Sequence, residues 1–158
     1  MYRLKLIISD GLNEGAIAGL DWSLRLKFPH RGWRPRQKRE CVFEGSPFRY
    51  NLSETSSVLP YESLERNVRS SDAVLLLTLS DRLPRKLQHT VFYAKLCGKP
   101  ILHLHESLEN CTERLFHFIL NYQVARLHID GSNEQMEPGI YERASQWLDG
   151  LSTLLLTA

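Results

Sequence analysis

Short apolar runs alternate along the chain with stretches in which apolar residues recur every three or four positions. Leu4 to Ser9 is a β-branched run closed by Asp10-Gly11, and Ile17, Leu20, Asp21, Leu24 and Phe28 then recur at helical spacing, which predicts strand, turn and helix. Pro29 to Tyr61 holds four of the seven prolines and reads as irregular chain with a short strand near Gly32-Trp33. An irregular stretch of that length has a functional or packing reason. Ser63 to Ser71 predicts a helix, and Ala73 to Leu79 is the continuous apolar run of a strand buried on both faces.

The second half repeats the alternation. Arg82 to Lys86 reads as a basic loop broken by Pro84, and Leu87 to Cys97 as a helix stopped by Gly98-Lys99-Pro100. Ile101 to His105 is a strand, and Ser107 is placed to cap a helix over Leu108 to Tyr122. Val124 to Ile129 returns as a strand, Asp130-Gly131 turns, and Gly139 to about Leu155 closes with an amphipathic helix. Parallel neighbours need a crossover that a helix supplies, so the class is α/β: one domain over residues 1–158, an open parallel sheet of about five strands flanked by helices. Ligands in such sheets sit outside the strand carboxyl ends. Here that gathers Ser9 to Gly15, Thr78 to Lys86, His103 to Ser107 and Asp130 to Ser132.

Composition narrows the class. The chain has 158 residues, enough for one core, and 20 Lys+Arg against 18 Asp+Glu, which is no profile for a nucleic-acid binder. No apolar run approaches the roughly 20 residues of a membrane span, and the N-terminus lacks a secretory signal. Cys41, Cys97 and Cys111 are odd in number and lack the Cys-x-x-Cys spacing, so the expected compartment is reducing cytoplasm. Charge is uneven: residues 1–100 carry 17 basic and 10 acidic side chains, residues 101–158 carry 3 and 8. Much of the excess lies between Arg25 and Arg39, which is either a solvated loop or a place for an anion.

Several segments carry a resemblance: Ile8-Ser9-Asp10-Gly11 before Leu20-Asp21-Trp22, Gly32-Trp33-Arg34-Pro35, Arg66 to Asp72, Gly98-Lys99-Pro100 with His103, and Pro138-Gly139-Ile140-Tyr141. Together they resemble the putative molybdenum carrier family. The resemblance implies a Rossmann-like domain related to lysine-decarboxylase-like nucleotide-binding proteins, which include phosphoribohydrolases. Where that family has two glycine-rich turns, this chain has Asp10-Gly11-Leu12-Asn13-Glu14 at the first and Arg85-Lys86-Leu87 at the second; only Gly11 of the first motif survives. A carboxylate about 5 Å from a phosphate, at an effective dielectric near 20, repels it by about 3 kcal/mol, so Asp10 and Glu14 disfavour phosphate at the first turn. At the second, cationic side chains can replace backbone donors.

The expected ligand-binding residues are therefore Gly11, Trp33, Arg34, Arg82, Arg85 and Lys86, with Trp33 as a platform for a planar ring. The ligand implied is a small anion, a molybdenum cofactor or a nucleotide, held without catalysis. One alternative is a nucleotide hydrolase of the phosphoribohydrolase type using Asp10, Glu14, Asp81 or Glu106. Another is a protein that kept the fold, lost the site and pairs as a homodimer through an apolar tail, Leu151 to Leu156. His103, His105 and His128 read as core histidines rather than metal ligands, and neither a metal, a nucleic acid nor a membrane is an expected partner. Arg66, Asn67 and Asp72 read as helix capping and a salt bridge.

Overall fold

The computed structural model describes residues 2–37 and 49–157. Lys38, Arg39 and Cys41 lie outside the described residues. The elements run β1 (Leu6–Ile8), α1 (Glu14–Arg25), β2 (His30–Arg31), β3 (Trp33–Arg34), β4 (Ser53–Glu54), α2 (Pro60–Ser70), β5 (Ala73–Leu77), α3 (Arg85–Leu96), β6 (Ile101–Leu104), α4 (Cys111–Asn121), β7 (Arg126–Gly131) and α5 (Ile140–Thr157). Five of the strands form one sheet in the order β2-β1-β7-β5-β6, and β3 pairs with β4 apart from it. Every pairing is parallel.

The last strand in the chain is the central one. Counted from β7 as first, the order becomes 3-2-1-4-5, the doubly wound arrangement with its start moved to a different point in the chain. The switch point then falls between β7 and β5. All five residues of β5 are buried, as its unbroken apolar run requires. Ala73, Leu75 and Leu77 face the larger core, with Trp22, Leu115, Ile119, Leu148 and Leu151 from α1, α4 and α5. Val74 and Leu76 face a smaller one with Leu64, Val68, Leu87 and Ala94 from α2 and α3.

Four local expectations are corrected. Asp130-Gly131 is no turn: both residues continue β7, opposite Leu76 and Leu77, because β5 still offers partners at that level. Arg85 and Lys86 leave no loop; they open α3 directly after Pro84, which stands at its N-cap. α4 starts at Cys111, behind Asn110 with φ 58°, so Ser107 does not cap it. The tail from Leu151 is no extension beyond the helix: it stays helical to Thr157, with Leu151 and Leu155 buried in the core, Leu154 half-buried and Leu156 exposed. No described helix is long and apolar enough to cross a membrane.

Candidate functional site

A cleft of about 400 Å³ opens at the strand carboxyl ends, beside the switch point. Its walls come from the turn after β1 (Leu12, Asn13), the first turn of α3 with Pro84, the end of β7 with the segment beyond it (Gly131 to Asn133, Met136), and Pro60 at the start of α2.

Close packing shuts the side of this cleft nearest α1. A Cβ on Gly15 would lie 2.7 Å from the Gly131 Cα, so helix and strand meet backbone to backbone. The Gly15 N–H donates to the Ser132 carbonyl at 3.0 Å. Asn13 is the N-cap: its Oδ1 accepts from the Ala16 N–H at 2.8 Å. Its Nδ2 donates to Asp130 Oδ1 at 3.0 Å. The Asp10 carboxylate takes the Leu12 N–H at 2.9 Å. The Leu12, Gly15 and Ala16 N–H groups of this turn are therefore already engaged.

Beneath lies a buried charge cluster. Lys86 Nζ is 3.2 Å from Asp10 Oδ2 and 3.6 Å from Asp130 Oδ1. Thr90 Oγ1 and the Gly131 N–H donate to Asp130 as well. Asp10 is 3% exposed and Asp130 fully buried. Burial alone would lower the Lys86 pKa, but the two carboxylates outweigh it and hold the ammonium above its ordinary range. Burial alone would raise the Asp130 pKa; the Lys86 ammonium and the donated hydrogen bonds reverse this and hold it below the usual carboxylate range. His128 has no partner for either ring nitrogen among the described residues, and burial pushes its pKa down, so it sits as a neutral core group.

Of the six expected ligand residues, only Arg85 and Lys86 line the cleft. Lys86 spends its charge on Asp10 and Asp130, and one ammonium between two carboxylates leaves that cluster no use for an external anion. Arg85 is exposed and has no carboxylate partner among the described residues. Gly11, with φ +65°, shapes the turn rather than lining the cleft. Trp33 and Arg34 belong to the small β3–β4 sheet: Asn67 holds the Trp33 backbone by two 2.8 Å hydrogen bonds, and Arg34 pairs with Glu54 at 3.4 Å. Arg82 lies exposed in the β5–α3 loop, its N–H bonded to Ser80 Oγ.

The histidines do not assemble. His103 bonds Thr78 and its ring lies 4.9 Å from that of His105, while β5 separates both from His128 on β7. No group of three metal-ligating side chains occurs among the described residues. Asp72 meets the Ala125 and Arg126 backbone and the Arg126 guanidinium, and Arg66 pairs with Glu62, so the ion-pair expectation for that segment holds.

Sequence reasoning missed Glu137. Its carboxylate accepts from the Leu79 N–H at 3.0 Å, the Ser80 N–H at 2.7 Å and the Ser132 hydroxyl at 2.5 Å. Nothing in the pattern around Pro138-Gly139 singles it out. Asn13 carried a signal, a capping residue directly before a helical pattern.

The profile of the circularly permutated YpsA SLOG family matches residues 7–152, and the sheet has the displaced starting strand that the name describes. The chain belongs to the circularly permutated YpsA SLOG family. Among solved structures, the crystal structure of a putative molybdenum carrier protein from Syntrophus aciditrophicus SB superposes with a TM-score of 0.83. It is 24% identical, over 95% of this chain and 96% of that chain, and at that distance it shows the fold. No curated protein gives a significant match. Within this SLOG domain, two pairs of the motif segments meet: Asn67 holds Trp33, and Asp21 meets Tyr141. Asp21 accepts hydrogen bonds from the Tyr141 and Tyr50 hydroxyls, both at 2.5 Å, joining α1 to α5 and to the bend before β4.

Proposed function

We propose that the protein binds a small anionic ligand of the molybdenum-cofactor or nucleotide type in the cleft at the strand carboxyl ends, as a carrier without catalysis. The observation that carries this reading is Arg85, an exposed guanidinium without a carboxylate partner among the described residues, at the first position of α3 and on the wall of a 400 Å³ cleft. Pro84 provides no side-chain cap, so the first amides of α3 add their dipole to the guanidinium charge. Leu12, Pro60, Pro84 and Met136 supply apolar wall for a planar ring. The Syntrophus aciditrophicus protein, named a putative molybdenum carrier, points in the same direction.

The geometry weighs against the hydrolase alternative. A general acid or base must reach the reacting group, yet Asp10 is committed to Lys86 and the Leu12 amide, and none of Glu14, Asp81 and Glu106 lines the cleft. Titration calorimetry with molybdate, nucleoside monophosphates and a pterin tests the reading: at least one should bind, and Arg85→Glu should weaken it tenfold or more. Absence of heat with all three sinks it.

A further inference from the structure

The loop after β5 holds an anion, and the anion is part of the protein. Glu137 presents both carboxylate oxygens to the successive N–H groups of Leu79 and Ser80, and the Ser132 hydroxyl completes the set. Ser132 is 4% exposed and has its hydroxyl turned to this carboxylate. No cation pairs with Glu137 among the described residues, and both its oxygens accept from backbone or hydroxyl donors. Two consecutive amides and a buried hydroxyl converging on two oxygens make the concave donor set that binds anions elsewhere. A neutral acceptor would satisfy the same donors; a carboxylate marks a receptor for negative charge.

We propose that Leu79, Ser80 and Ser132 form an oxyanion receptor for which the Glu137 carboxylate is a built-in competitor, and that a tetrahedral oxyanion takes its place when Glu137 withdraws. A tetrahedral group offers two oxygens to the amides and a third to the hydroxyl, using donors that Glu137 serves with two oxygens. Tethering keeps the internal carboxylate at high effective concentration, so it masks external affinity. If it occupies the receptor in nine molecules of ten, the external ligand binds tenfold more weakly than the receptor allows. The turn that carries Glu137 does not depend on that side chain. Its backbone is fixed by Glu137 N–H to Asn133 O and Met136 N–H to Asn133 Oδ1, while Glu134 accepts from the Gly139 and Tyr141 N–H groups.

The test is a titration of the full 15N-labelled chain with inorganic phosphate, read at the backbone amides. Glu137→Ala should bind phosphate at least tenfold more tightly than the unaltered chain, with the largest shifts at Leu79 and Ser80. Glu137→Gln keeps the side-chain shape without the charge and should also gain, which decides the matter if the alanine variant fails to fold. No gain in either folded variant, or shifts confined to Arg85 to Leu87, overturns the proposal. Arg85→Glu placed on Glu137→Ala separates it from the cleft reading: the Leu79 and Ser80 shifts should persist, and their loss would show a single site and overturn it. Failure of molybdate, nucleotides and pterin to bind the unaltered chain removes the carrier reading and leaves this one standing.

Discussion

The loops that leave β1 and β5 each gather backbone amides at the strand carboxyl ends, and the protein closes each by different chemistry. After β1 the amides are taken by neutral or internally balanced groups: the Asn13 side chain on Ala16, the Ser132 carbonyl on Gly15, and Asp10 on Leu12 while Lys86 meets its charge. After β5 the amides of Leu79 and Ser80 hold the Glu137 carboxylate, which has no cation beside it among the described residues. The first loop is closed as part of the buried framework. The second is closed by a single half-buried side chain that a substitution can remove without disturbing the sheet. Identical backbone donors therefore have different prospects, set by whether the group that fills them is buried with its counter-charge or rests at the surface.

The largest way to break this contrast is at Lys86. Lys86→Met leaves Asp10 and Asp130 buried without their cation, and should cost about 3 kcal/mol in denaturant unfolding, the low end for a broken buried pair because 34% of the Lys86 side-chain surface is exposed. The pH dependence has a definite sign. Asp130, held low in the folded state, contributes stability above its ordinary value of 3.8, and this is lost as pH falls through the folded value. Lys86, held high, contributes stability below its ordinary 10.5, and this is lost as pH rises through the folded value. The deficit of Lys86→Met should therefore be greatest between these limits and shrink beyond them; a deficit independent of pH would show that lost packing, not charge, was the cause.

Next in size is Asn13→Ala, which removes the cap of α1 and one donor to Asp130 for about 2 kcal/mol in thermal or denaturant unfolding. It should confer no phosphate affinity, because Asp10 and Asp130 remain beneath the exposed amide. Glu137→Ala should cost less, about 1 kcal/mol, since water can reach Ser80 and replace part of what is lost. The two substitutions each uncover backbone donors, and only the second should create a binder. Phosphate affinity in both would show that uncovering amides is sufficient, and that the buried carboxylates do not govern the first loop.

The framework was more legible than the site for a physical reason. Apolar periodicity reports burial on a face, so the runs at Ala73 and Ile101 and the stripes of α1 and α5 marked their elements well. Strand order was not readable, because pairing β7 between β1 and β5 depends on contacts across most of the chain. The site depends on pairs still harder to read. Lys86 looked like a spare cation in a basic loop until α3 brought it onto Asp10, 76 positions away, and Asp130. Glu137 finds its two amide donors 57 and 58 positions upstream, with no local pattern to announce them. Trp33 and Asn67 stood in matching segments, yet what joins them is a pair of backbone hydrogen bonds that composition does not encode.

The smallest expected effect on stability sharpens the comparison most. Arg85→Glu removes an exposed side chain without a carboxylate partner among the described residues, so unfolding should change by no more than about 0.5 kcal/mol. A glutamate at the first position of α3 even suits the helix dipole. Binding should respond in the opposite way. The reversal replaces an attractive charge by a repulsive one on the cleft wall, and about 1.4 kcal/mol of interaction is tenfold in affinity. A stable variant that binds the cleft ligand less well would separate Arg85 from its neighbour Lys86, one serving the ligand and the other the fold. If Arg85→Glu instead unfolds the protein as Lys86→Met does, the two cations act as one structural unit, and the cleft has no cation left over for an anion.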